Sequence, residues 1–334
     1  MKDFKEKQQT FSGVNNFSNS PKCILEDFVI LLKRNYDFSG FQELEKYFSY
    51  VKNADLSKNN VFVFFCIYRL SYKLRNRELK DFECDCCKDI TELYKATYRW
   101  LNAFICESIS KTSEKYQLRH PETNMLFKGD TMISVFTPLK EYFKLKSGIQ
   151  CTSSKEEDWE AYWLKNIDTI NISESAADFI YWGYSFANFL PVPEHFNAER
   201  SNYGKWDSWD LTLTQIYQWY LDNPQMNSQT ENRALKQLFK CTHNTEAAVS
   251  YCTEWLKSFH LWENFVEQNY MQSFILSDGR PKKFFQNHTL EYKLPKTLDE
   301  YEDFFKNAVS CIAERERILN TRSCREQSSI CLRN

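Results

Sequence analysis

The stretch from Phe186 to Leu213, FANFLPVPEHFNAERSNYGKWDSWDLTL, gathers the side chains of this sequence that need specific geometry. Asn188, Asn197 and Asn202 favour turns and helix caps. Pro191 and Pro193 fix an extended segment. Arg200 offers a bidentate fork for an anionic group, and Asp207 and Asp210 are the near-sequence carboxylates that could answer it. His195 lies in the same stretch, and Trp206 and Trp209 would wall a pocket. A rigid irregular segment between two helices is a common place for a binding site. Asn188, His195, Asn197, Arg200, Trp206, Asp207, Trp209 and Asp210 are therefore the candidate binding residues, for a small anionic ligand or a protein partner. The competing reading is that Arg200 pairs with an aspartate only to hold the loop down. A guanidinium is very costly to bury unpaired. Arg200 is thus expected to form a salt bridge with Asp207 or Asp210, beneath Trp206 or Trp209.

Other familiar chemistry is harder to assemble. Cys84-Asp-Cys-Cys87 contains one C-x-x-C, but a structural zinc needs about four ligands. No second pair exists, so Cys66, Cys106 or His120 would have to complete the set. A redox motif would want a strand before it, and Arg75 to Glu83 is charged. No metal site and no cofactor are expected, Cys84 and Cys87 being the nearest approach to one. The five histidines, His120, His195, His243, His260 and His288, include no pair three to five residues apart. No serine lies in G-x-S-x-G, so neither a zincin nor a hydrolase triad can be named. The chain has only seven glycines, and the closest two, Gly129 and Gly148, are nineteen residues apart. That spacing excludes a Walker loop, a dinucleotide fingerprint and a kinase glycine loop.

Charge gives little footprint for a polyanion. The chain carries a formal net charge of −2. Lys155 to Asp222 is net −8, and the first 120 residues are net +4. Phosphate contacts dominate nucleic-acid affinity, so nucleic acid is not an expected partner. The start, Met1 to Ser20, has no apolar core of a secretion signal. The most apolar run, Val61 to Leu70, is about half the ~20 residues that a membrane span requires. A cytoplasmic protein with reduced cysteines is expected, and no membrane partner.

The elements that would position these residues read as helices. Asp89 to Ile109, with Leu93, Ala96, Tyr98, Trp100, Leu101, Phe104 and Ile105, falls mostly at helical spacing, as do Ala177, Ile180, Tyr181 and Tyr184. Ser173 is placed to cap the second of these helices, and Pro191 to end it. Ser154-x-x-Glu157 and Thr297-x-x-Glu300 are capping boxes. The latter precedes an amphipathic run of Leu298, Tyr301, Phe304, Phe305, Ala308, Val309 and Ile312. Phe284 to Leu294, between Pro281 and Pro295, is the best strand candidate. The 27 phenylalanines, 19 tyrosines and nine tryptophans are read as a large aromatic core rather than as a stacking surface for bases. The expected fold is mainly α, a multi-helix globular domain with at most one or two short strands. It would have a flexible leader over 1–20, a single helical domain over 21–320 and a loose tail over 321–334. A subdomain boundary could fall in the polar stretch 111–128.

Gly129-Asp-Thr-Met132, Phe186-Ala-Asn-Phe-Leu-Pro-Val-Pro193, Asn197-x-x-Arg200, Asp210-Leu-Thr-Leu213 and a closing helix like Leu298 to Ile318 carry a resemblance. Over residues 120–320 the chain resembles a bacterial domain-of-unknown-function family with no agreed activity. That resemblance implies a location and a fold only. Ala187-Asn-Phe-Leu, Phe196-Asn and Arg200-Ser-Asn202 are also similar to the G-N-L…L-N…S-N tail of HNH endonucleases in phage-defence proteins. Those enzymes use an upstream Asp-His-x-x-Pro-type strand for the base and a metal ligand. The nearest upstream histidine here, His120, lies 68 residues before Asn188. The function expected is a ligand- or partner-binding module without a recognisable catalytic apparatus. The alternative is a divergent metal-dependent HNH-like nuclease.

Overall fold

The structure is a computed structural model that describes residues 58–74, 88–110, 113–147, 151, 153, 155–166, 169–200, 208–226, 230–239, 244–292 and 294–331. The expected leader, Cys84, Cys87, Ser154, Trp206, Asp207 and His243 lie outside them. The first described elements are α1 (Lys58–Leu74) and α2 (Lys88–Thr97). Three strands follow, β1 (Ile105–Ser110), β2 (Ser113–Arg119) and β3 (Leu126–Thr131). Helices α3 (Phe136–Ser147), α4 (Glu156–Lys165) and α5 (Glu174–Gly183) then intervene before β4 (Phe189–Pro193). The remainder is helical: α6 (Phe196–Glu199), α7 (Trp209–Asp222), α8 (Arg233–Leu238), α9 (Thr245–Lys257), α10 (Trp262–Gln268) and the long α11 (Leu298–Cys331). No helix among the described residues is long and apolar enough to cross a membrane.

The four-stranded antiparallel sheet, in the order β1-β2-β3-β4, overturns the expectation of a mainly α fold with at most one or two short strands. The reason lies in how little of β1 to β3 reaches the core. Of the three, only Leu118 and Phe127 are buried large apolar residues, so β2 and the start of β3 read as polar loop, and β1 as the end of a helix over Asp89 to Ile109 that in fact stops at Thr97. Strand β4 is disguised differently. Proline lacks an N–H and belongs at sheet edges. Pro191 and Pro193 stand opposite Gly129 and Phe127, leaving β4 hydrogen-bonded only to β3. All five of its residues are nonetheless buried, because α6 and α9 pack against it. The strand candidate Phe284 to Leu294 is instead a chain of bends and turns. Its buried residues, Phe284, Phe285 and His288, do not alternate.

Aromatic rings fill the interior. Phe62, Phe136, Phe143 and Trp163 join α1, α3 and α4 at centroid distances of 5.2–5.7 Å. A second group, Trp100, Phe127, Phe196, Trp209 and Trp255, lines one side of the sheet. The stripe of α11 supplies Tyr301, Phe304, Phe305, Ala308, Cys311 and Ile312, all buried. Glu302 on the flank of that stripe accepts from Tyr142 Oη at 2.7 Å and from Ser175 Oγ, tying α11 to α3 and α5. Buried Glu160 pairs with Arg69, whose guanidinium lies over the Phe136 ring. Two of the expected caps form: Ser173 Oγ accepts from Ala176 N at 3.2 Å, and Thr297 Oγ1 from Glu300 N at 3.2 Å, whereas α4 starts at Glu156 with Lys155 before it and no side-chain cap. Gly183 ends α5 against α3. A methyl group there would lie 2.2 Å from Val135 Cγ2, a distance that only glycine avoids.

Cys66, Cys106, Cys151, Cys252 and Cys311 are free thiols. Cys66, Cys252 and Cys311 are buried. Burial pushes the Cys311 thiol up to about 12 against the pull of Lys282, and raises Cys66 and Cys252 well above the ordinary range. Cys106 is half-buried, and desolvation with the neighbouring Glu92 raises it to about 11.

Candidate functional site

Strand β3 delivers Asp130 to the place where α6 ends and α7 begins. There Asp130 Oδ2 accepts from Arg200 Nη2 at 2.7 Å and from Trp209 Nε1 at 3.3 Å. Arg200 also donates to Asn197 Oδ1 and, through Nη1, to Thr212 Oγ1, both at 3.2 Å. Its guanidinium lies 5.0 Å from the Phe196 ring centroid and 5.9 Å from Trp209. Both side chains of the Asp130–Arg200 pair are 0% exposed. The partner that Arg200 takes is thus Asp130 and not Asp210, while Asp207 lies outside the described residues. The aspartate is far away in sequence, and antiparallel pairing of β3 with β4 brings it in. Trp209 does cover the pair, as expected.

Asp210 is taken by a different partner. Its Oδ1 accepts from Ser208 Oγ at 2.5 Å, and its Oδ2 from Phe284 N at 2.9 Å and from the His288 ring, whose Nδ1 lies 2.5 Å away. Asp210 sits in the first turn of α7, where the helix dipole also favours a carboxylate. His288 is fully buried and stacks on Phe285 at 4.4 Å. An aspartate that orients a histidine is half of a hydrolytic triad. Here, however, the serine hydroxyl donates to the aspartate and not to the ring, and the ring is sealed from solvent. The arrangement clasps the 284–288 segment to the start of α7.

Asn188 closes the 3-10 turn Phe186–Asn188. Its Nδ2 donates to Ile133 O at 3.0 Å and Gly183 O at 2.8 Å, and its Oδ1 accepts from Ile133 N at 3.1 Å. It thereby fixes the chain entering β4 to the start of the α3 segment. His195 is half-buried and has φ 67°, a left-handed conformation uncommon for a residue with a Cβ. Its ring lies parallel to Tyr251 at 6.0 Å. His120 sits at the β2–β3 turn, where its Nδ1 accepts from Glu122 N and Thr123 N. The structure thus brings Asn197, Arg200 and Trp209 together with Asp130. It sets Asp210 with His288, and Asn188 serves a third junction.

Comparison with protein-family models, curated proteins and solved structures finds no match. Among the described residues no group of three or more His, Cys, Asp or Glu side chains could hold a metal ion.

One residue escaped the sequence reading entirely. Arg315 on α11 is fully buried, and each of its five N–H groups has a partner. Nε donates to Tyr270 O at 3.2 Å, Nη1 to Ala187 O at 2.5 Å and Phe189 O at 3.1 Å, and Nη2 to Asn269 O at 3.1 Å and Tyr98 Oη at 2.5 Å. Every acceptor is neutral. Burial raises the Tyr98 phenol above its ordinary value even with the guanidinium beside it. A signal was present: position 315 continues the buried stripe of 301, 304, 305, 308, 311 and 312 at helical spacing. An arginine on such a stripe marks an irregular backbone that needs donors.

Proposed function

We infer that this protein acts by binding a ligand or partner on a rigid aromatic scaffold, rather than by catalysis. The observation that turns the reading away from catalysis is the fate of the polar residues between 186 and 213, which are spent on holding the fold. Asn188, Arg200 and Asp210 are each at most 2% exposed, and their hydrogen bonds go to neighbouring protein groups. The same fact weighs against the alternative of a divergent HNH-like nuclease, which would need Asn188 and Asn197 beside a metal and a base. Asn188 instead holds backbone, and Asn197 accepts from Arg200. The net −8 of the surrounding segment also repels phosphate. The purified protein is expected to show no magnesium- or manganese-dependent cleavage of DNA or RNA at near-physiological salt. Reproducible metal-dependent nicking that disappears in Asn197→Ala would overturn the binding reading and favour the nuclease.

A further inference from the structure

We propose that the cleft between the 276–283 loop and α11 is a binding site for a small soluble oxyanion, such as the terminal phosphate or carboxylate of a metabolite. The proposal rests on the binding reading above and names its ligand class. The cleft has a volume of about 250 Å³ and is lined by Leu276, Lys282, Lys283, Asn307, Ser310 and Cys311. Its lining adjoins the segment that Asp210 holds, since Phe284, next to Lys283, donates its N–H to that carboxylate.

Two features make it suited to an anion. The first is Lys282. It is half-buried, and its backbone N–H donates to Phe274 O at 2.8 Å. Its Nζ donates to Ser273 O at 2.7 Å, while Ser273 Oγ donates to Cys311 O at 2.7 Å, so the ammonium is held in a fixed place against α11. A backbone carbonyl satisfies one N–H, and the Glu314 carboxylate offsets part of the charge without forming an ion pair with it. Among the described residues no ion pair engages either Lys282 or Lys283. Glu314 on α11 spends its hydrogen bonds on Arg317, at 2.7 and 2.6 Å. The second feature is the set of neutral donors. Asn307 gives one N–H to Phe284 O at 2.8 Å and keeps the other, and the Ser310 hydroxyl is exposed and bonded to no described group. Asn307 and Ser310 are three residues apart on α11, so they share a face. An oxyanion held here would meet two ammonium groups and two neutral donors.

Size narrows the ligand. A drug-sized molecule uses roughly 300–1,000 Å³. The cleft has room for about eight waters. A phosphate or carboxylate on a short polar body fits, with Leu276 and the inert Cys311 thiol as its apolar wall.

The test uses the full chain and inorganic phosphate, followed by calorimetry and by thermal unfolding at constant ionic strength. Saturable phosphate binding is expected, with an affinity that falls about tenfold or more in Lys282→Met and in Ser310→Glu. Ser310→Glu alters an exposed helix position, so it decides the matter even if Lys282→Met fails to fold. Phosphate binding unchanged in Ser310→Glu, or an equal rise in Tm with chloride, overturns the site. Glycerol 3-phosphate is expected to compete with phosphate. A short oligonucleotide or phosphatidic-acid vesicles that bind better than inorganic phosphate overturn the restriction to a small soluble ligand. Failure of these measurements removes the cleft as the site and leaves the binding reading standing, since that reading falls only to metal-dependent turnover.

Discussion

Arg315→Met is expected to lower the free energy of unfolding by about 4 kcal/mol. The substitution keeps much of the side-chain volume and deletes five donors. The carbonyls of Ala187, Phe189, Asn269 and Tyr270 then lose a buried partner, as does Tyr98 Oη. An unsatisfied buried acceptor costs about 1–3 kcal/mol, and relief from burying a cation offsets part of the sum. The check is the urea midpoint at unchanged slope. A loss below about 1 kcal/mol would show that these carbonyls find water or other donors. Arg315→Lys separates charge from geometry. An ammonium has three donors on a flexible stem and cannot span the fork of the guanidinium. It should recover less than half of the loss. Full recovery by lysine would mean that the positive charge, and not the planar fork, is what this junction requires.

The second large effect is expected at Asp130 and Arg200. Arg200→Met strands the Asp130 carboxylate in the interior, and breaking a buried pair in this way costs about 3–5 kcal/mol. The double variant Asp130→Leu with Arg200→Met removes both charges and should return most of that loss, because hydrophobic replacement of a buried pair is often close to neutral. Asp210→Leu combined with Arg200→Met should instead be worse than either single change, since Asp210 serves Ser208, Phe284 and His288. Recovery with Asp210→Leu rather than Asp130→Leu would return Arg200 to the partner suggested by sequence proximity.

These two arginines mark the boundary between what was legible in the sequence and what was not. Periodicity carried the helices well. Trp163, Trp209, Trp219 and the stripe of α11 are buried as their spacing implies, and Ser173 and Thr297 cap as their positions imply. Local rules see only a few residues in each direction. They offered Arg200 an aspartate seven or ten residues away, whereas the sheet register supplies one 70 residues upstream. Short strands with one or no buried apolar residue gave no alternation strong enough to set against the helical reading of the rest. Tyr116 and Leu118 in β2 were the faint exception, lying two apart on one strand. The prolines of β4 marked an extended segment but not its pairing, because a residue without an N–H gives no sign of which ladder it joins. His288 carried no local sign of its bond to Asp210, because that contact depends on how the turns after α10 fold back onto α7.

The guarded cysteines give the molecule an internal clock. A thiol must be both exposed and ionised to react with a disulfide reagent, and Cys66, Cys252 and Cys311 are neither in the folded state. Each belongs to a different helix: Cys66 to α1, Cys252 to α9 and Cys311 to α11. Their modification rates therefore report how often each of these helices lifts away from the rest. Among these five thiols Cys106 and Cys151, partly open to solvent, would be labelled before the buried three. If all three buried thiols are modified at one common rate, the molecule opens as a unit. Three separate rates would divide it into regions that breathe independently, and would locate the weakest of them.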